Sequence, residues 1–204
     1  MVEQVDKKGK VMSVDTKEVS LKHIMEVIDN NHVGIVWTRR QTINKRTVLH
    51  KVTTYDMTDK ATGIKYEFII ERYRGKPATY QVNRGGTPVE FLAGSDGAKR
   101  LCMRVIERRE QEGQVFRIKE WLSNARRVEY DPLCKTHYQC KGEVYTVKCS
   151  SKRNDYYLHF DEKYKSVVSS RGAWQLTPDL FAFVFSFAKE RVMQTEERFG
   201  QNNR

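Results

Sequence analysis

Two alternating runs meet at a basic corner in YEFIIERYRGKPATYQVN, residues 66 to 83. Ile64, Tyr66, Phe68 and Ile70 take every second position, with Lys65, Glu67 and Glu71 between them, which is the period of a strand that buries one face. After Arg74-Gly75-Lys76-Pro77 the alternation resumes, Ala78, Tyr80 and Val82 against Thr79, Gln81 and Asn83, so the pattern predicts a hairpin. A second segment, YTVKCSSKRNDYYLHFD over residues 145 to 161, has the same form, and its corner runs from Lys152 to Asp155.

The remaining pattern fills in around these hairpins. Asp15 and Glu18 have capping-box spacing, and Leu21, Ile24, Met25 and Ile28 repeat at helical period up to Asn30-Asn31, predicting a first helix. Val33 to Trp37 shifts to period two, a strand, followed by a basic stretch from Arg39 to Lys51 and a β-branched run to Tyr55. Thr87 to Leu92 predicts a short strand. From Ala98 the stripe Leu101, Cys102, Val105 and Ile106 is helical, with Ser95 as its cap and Gly113 as its end; Val115, Ile118, Trp121, Leu122 and Ala125 predict another helix. Tyr138 to Cys140, Glu143 to Cys149, Tyr156 to Phe160 and Lys165 to Ser170 read as extended. The last helix opens at Thr177-Pro178-Asp179, Thr177 capping, and buries Phe181, Val184, Phe185, Ala188 and Val192.

In order, these elements repeat. Strands near 45–55, 63–73, 78–83 and 88–92 precede a helix over 96–112; strands near 137–140, 143–150, 155–160 and 165–170 precede a helix over 178–198. In topology and size this resembles the Pur-alpha and Whirly families, which carry tandem four-strands-then-helix units and bind single-stranded nucleic acid. The resemblance spans roughly residues 45 to 198 and implies such binding here. The expected fold is α+β, two ββββα-like units with antiparallel sheets. Residues 1–14 are expected as a loose start and 15–44 as a helix-and-strand extension. The first unit with its connecting helix then covers 45–130 and the second covers 131–204, the two packed as one domain.

Charge changes the picture. The chain has 37 Lys and Arg against 26 Asp and Glu, a formal net charge of +11, which attracts polyanions. The cations gather in acid-free runs, Arg39 to Lys51 and Arg72 to Arg84, and phosphate contacts from such residues combine with aromatic stacking on single strands. The expected contacts are Arg39, Arg40, Lys45, Arg46, Lys51, Arg72, Tyr73, Arg74, Lys76, Arg84, Lys152, Arg153 and Tyr157. Tyr73, Tyr157 and His159 fall opposite their strands' core sets, and Glu67 and Glu71 move the contact from the sheet face to corners and edges. Arg84-Gly85-Gly86 reads as a turn rather than an RGG motif.

Cys134, His137, Cys140 and Cys149 have the ligand types of a structural zinc site, but Cys149 continues the core set Tyr145 and Val147, so no metal or cofactor is expected. The phosphate-loop, dinucleotide, zincin and hydrolase-elbow motifs are all missing. Glu143, Asp155, Asp161 and Glu162 are read as hairpin carboxylates rather than a nuclease centre. The cysteines have no disulfide-framework spacing, no apolar run reaches membrane-spanning length and the start lacks a secretory pattern, so a soluble protein of a reducing, intracellular compartment is expected. The expected partner is single-stranded nucleic acid, with no membrane and with a second copy or another protein as further possibilities. A protein-interaction or assembly subunit with a basic surface is the competing class.

Overall fold

A strand that buries alternate residues needs a second layer to bury them against, and helices supply it for both large sheets. The computed structural model describes residues 4–5, 11–12, 20–31, 38–44, 48–89, 94–134 and 144–200; its fold is α+β, and its sheets are antiparallel. The chain divides into two units, Met1–Ile106 and Glu107–Arg204.

In unit 1, β1 (Gln4–Val5) pairs with β2 (Val11–Met12). Helix α1 (Leu21–Asn30) begins at Ser20, whose hydroxyl accepts from the His23 amide at 3.3 Å. The expected cap residues Asp15 and Glu18 and the strand Val33–Trp37 lie outside the described residues. A five-stranded meander follows, β3 (Thr38–Asn44), β4 (Val48–Thr58), β5 (Lys65–Tyr73), β6 (Thr79–Arg84) and β7 (Thr87–Pro88). Tyr55, Met57, Tyr66, Phe68, Ile70 and Val82 form the buried face, covered by Ile24, Val27 and Ile28 of α1. Helix α2 (Gly94–Asn124) adds Ala98, Leu101, Cys102 and Val105 to the same core. Arg104 grips Asp29 with both ends of its fork, at 2.8 and 2.9 Å, fixing α1 to α2.

Unit 2 repeats the order with a second five-stranded meander, β8 (Arg127–Tyr130), β9 (Val144–Ser150), β10 (Asp155–Asp161), β11 (Ser166–Ser169) and β12 (Gly172–Gln175), followed by α3 (Pro178–Gly200). Val115, Ile118 and Leu122 of α2 and Phe181, Val184, Ala188 and Val192 of α3 enclose Val147, Cys149, Leu158 and Phe160. Burying each large side chain of this kind contributes about 1.5 to 3 kcal/mol. The edge strand β8 is anchored to α3, its Val128 amide donating to the Thr195 hydroxyl at 3.3 Å.

Several expectations need correcting. Gly113 does not end a helix; α2 runs through it, held by buried residues on either side, Val105 and Val115, which offset the ~1 kcal/mol a mid-helix glycine costs. Helix α2 starts at Gly94, so Ser95 lies in its first turn rather than before it. Thr177 stands just before α3 as expected, its carbonyl accepting from the Phe181 amide at 2.9 Å, but its hydroxyl is committed elsewhere. It donates to Asp179 and accepts from Arg108, whose guanidinium is only 1% exposed and also holds both Asp179 oxygens. The strands β3, β8 and β12 fall where charge or brevity hid the alternation, in TRRQTIN, RVEY and GAWQ. Of the strand expected over 88–92 only Pro88 and Val89 are described, Pro88 ending β7, and the one expected over 137–140 lies outside the described residues.

Candidate nucleic-acid interface

The strand register decides which cations share a place. In unit 1, β5 turns into β6 through Arg74-Gly75-Lys76-Pro77, closed by the Lys76 amide donating to the Tyr73 carbonyl at 3.1 Å, with Gly75 at φ 75°, where a side chain would be strained. Arg72, Arg74 and Lys76 are exposed there. Register adds Lys51, which stands directly opposite Arg72, and Gln41, which stands opposite Lys51. The β3–β4 ladder reaches Asn44 and Val48 at this same end of the sheet; Lys45 and Arg46 lie outside the described residues. Arg39 and Arg40 occupy β3 positions beside Thr53 and Val52. Among the described residues, Lys51, Arg72, Arg74 and Lys76 make no ion pair.

Arg84 does not join them. It pairs with Tyr66, at the opposite end of β5 from Arg72, so about 20 Å of strand at ~3.4 Å per residue separates residues adjacent in an acid-free run. Gly85 and Gly86 both have positive φ, 59° and 84°, as a two-residue type I′ hairpin requires, so this segment is a turn.

The sheet face turned away from the helices carries three carboxylates, Asp56, Glu67 and Glu71, with Lys65 at one end of the same row and Arg40 on the neighbouring strand. Asp56 pairs directly with Glu67, and burial together with the Glu67 charge pushes the Asp56 carboxyl above its ordinary range. The Asn83 amide donates to Glu67 at 3.0 Å, and Glu71 lies 4.0 Å from His50. His50 in turn stacks on Tyr73 with ring centroids 4.1 Å apart and planes within 5°, so one face of the expected stacking platform is already taken.

Unit 2 arranges its corner differently. The Ser151 hydroxyl accepts from the Arg153 and Asn154 amides and donates to the Asn154 carbonyl at 2.6 Å, locking a turn on which Lys152 and Arg153 are exposed. Register also brings β8 to this end. The Arg126 amide donates to the Ser150 carbonyl and Arg127 pairs with Ser150, so two further arginines stand near the corner. Both escape the sequence pattern because Arg127 opens, and Arg126 precedes, a strand too short to show alternation; the doubled Arg126-Arg127 was the available signal. The strand cations here are neutralised, Arg127 by Glu129 and Lys148 by Asp155 at 3.0 Å. Tyr157 is half-buried, parallel to His159 at 6.2 Å. His159 is buried, hydrogen-bonded through Nδ1 to the Thr146 hydroxyl at 2.9 Å, and burial holds its imidazole below its usual pKa.

The two basic corners occupy different steps of their meanders. Among the described strands, the unit 1 corner joins the third strand to the fourth and the unit 2 corner joins the second to the third. The likeness of the two hairpin sequences is therefore not a likeness of position.

The other candidate clusters are described only in part. Cys149 lies in the unit 2 core, its thiol pushed up to about 12 by burial, while Cys134 is half-exposed; His137 and Cys140 lie outside the described residues. Asp155 and Asp161 stand at opposite ends of β10, and Asp161, far from being a surface carboxylate, is buried and accepts from the Tyr164 amide at 3.0 Å. Glu162 is exposed, and Glu143 lies outside the described residues. Among the described residues, no helix is long and apolar enough to cross a membrane. Comparison with family models, curated proteins and solved structures finds no match for this chain.

Proposed function

We propose that this protein binds single-stranded nucleic acid, DNA or RNA, without catalysis, through the basic ends of its two sheets. The observation that carries the reading is the unit 1 corner, where Lys51, Arg72, Arg74 and Lys76 are brought to one sheet end and make no ion pair among the described residues. Cations without an ion pair release counterions when they meet phosphates, and Asp56, Glu67 and Glu71 on the outer face of the same sheet disfavour a strand laid across that face. The resemblance to the Pur-alpha and Whirly families belongs to the same proposal. So does a reducing, intracellular setting, supported by the free thiols of Cys102, Cys134 and Cys149. The test is binding to single-stranded DNA, single-stranded RNA and duplex across a salt titration. Salt-sensitive binding that prefers single strands is expected, and its absence for every nucleic acid would end the reading.

One observation favours a second reading, a protein-interaction subunit. In unit 2, Phe116, Met193 and Phe183 are 70%, 60% and 44% exposed, more apolar surface than binding a phosphate backbone needs. Under that reading, Phe116→Ser and Met193→Ser would abolish capture of a partner and leave nucleic-acid affinity unchanged.

A further inference from the structure

Lys51 and Arg72 stand opposite one another on β4 and β5 with no acid between them. Like charges placed this way destabilise a ladder. The pair closes off the buried rows Tyr55–Phe68 and Thr53–Ile70, and Lys51 is half-buried, so solvent screens the repulsion less than on an open surface. Neither side chain makes a hydrogen bond or ion pair among the described residues. An oxyanion seated between them turns one repulsion into two attractions, each a charge-assisted hydrogen bond. We infer that Lys51 and Arg72 are a seat for a single phosphate group, and that filling the seat stabilises unit 1. The inference rests on the nucleic-acid reading for the source of that phosphate, a diester of the bound strand; free phosphate has the same chemistry. Binding and stability are then opposed at this position, because removing the repulsion also removes the site.

The test uses the full chain as parent, Lys51→Glu, Arg72→Glu, the double charge reversal and Lys51→Arg. Each is melted at low salt alone, with a short single-stranded oligonucleotide, with inorganic phosphate and with a polyglutamate peptide. Without ligand, each single reversal creates a cross-strand ion pair and is expected to melt about 1 to 5 °C above the parent, a gain that the double reversal loses and that salt erases. The oligonucleotide should raise the melting temperature of the parent and of Lys51→Arg, and raise it less in either single reversal, whose affinity falls at least about tenfold and whose salt slope flattens by about 0.7 or more. Arg72→Glu carries the test if Lys51→Glu fails to fold, since Arg72 is exposed. Oligonucleotide binding by both single reversals as tight as the parent's, or no rise in melting temperature for either without ligand, would overturn the seat and leave the wider reading on Arg74 and Lys76. A parent that ignores oligonucleotides yet is stabilised by inorganic phosphate, with Lys51→Glu unresponsive, would keep the seat and end the nucleic-acid reading. Equal stabilisation by polyglutamate would overturn the phosphate assignment in favour of a carboxylate-bearing partner.

Discussion

The strand cations of unit 2 each face an acid, Arg127 with Glu129 and Lys148 with Asp155, whereas in unit 1 Lys51 faces Arg72. Even the buried arginine of unit 2 is matched, since Arg108 holds Asp179 and lies 3.4 Å from Glu112. One sheet pairs its strand cations with acids; the other leaves Lys51 and Arg72 without an ion pair among the described residues. Two segments that look alike as sequence, each a hairpin with exposed cations at its corner, therefore differ in the cations of their strands: Lys148 is paired with Asp155, whereas Lys51 stands opposite Arg72. The difference is set by strand register, which composition does not record.

The strongest way to test whether the units stand apart is to empty one core at a time. Phe160→Ala in unit 2 and Phe68→Ala in unit 1 should each cost about 3 to 5 kcal/mol, and in a Trp37→Phe background, where Trp121 and Trp174 of unit 2 are the remaining tryptophans, denaturant unfolding followed by fluorescence should respond more to the first. Equal response to both would mean that the cores melt together.

Next in size is the internal match of unit 2. Asp179→Ala leaves the buried Arg108 guanidinium short of its main partner and should cost about 2 to 4 kcal/mol, the lower figures because Asp179 is a third exposed. Burial works against the charged form of Asp179, yet hydrogen bonds from Arg108 and Thr177 and the Arg108 charge outweigh it and hold the carboxyl below its ordinary value. A lowered folded pKa means that the unfolded chain takes up the proton first. The contribution is therefore present at neutral pH and lost as pH falls through the acid range below the usual carboxylate value. Asp179→Asn should flatten the acid limb of stability against pH, and no change in that limb would assign it to other carboxylates.

A third measurement compares the corners directly. Replacing Arg72, Arg74 and Lys76 with Ala should leave the fold intact, lower single-strand affinity and reduce the salt slope by up to about 2, at about 0.7 for each lost contact. Lys152→Ala with Arg153→Ala should take away no more than about 1.4. A larger loss at the unit 2 corner would reverse the ranking of the two sheets. Smallest of all is Lys148→Ala, expected to leave binding unchanged because Asp155 already occupies that ammonium; a clear drop in affinity would show that the ion pair opens for ligand.

Much of this fold was legible in the chain. Clean alternation marked the hairpins, because Phe68, Ile70, Val147 and Leu158 must point one way and their neighbours the other. The strand TRRQTIN was hidden because it has one apolar residue, and GAWQ because it is too short to show a period. The corner cations were legible as an acid-free run, but Arg84 was grouped with them only because proximity in sequence is not proximity across a strand. Lys51 was found as a basic residue, and its apposition to Arg72 required the register. Arg126 and Arg127 were missed because the strand that Arg127 opens is too short to show a period.

On a ribosome the chain emerges amino end first, so α1 and the strands of unit 1 are out before α2, the second helix that covers them. Ala98, Leu101, Cys102 and Val105 complete that core, yet α2 runs on to Asn124, and its later residues Val115, Ile118 and Leu122 belong to the core of unit 2. A nascent chain paused just past Ile106 would hold only the first turns of α2, too short to persist in water without the packing of its apolar stripe. Translation of residues 107 to 124 both lengthens the helix that unit 1 already uses and lays down the first surface on which unit 2 can fold.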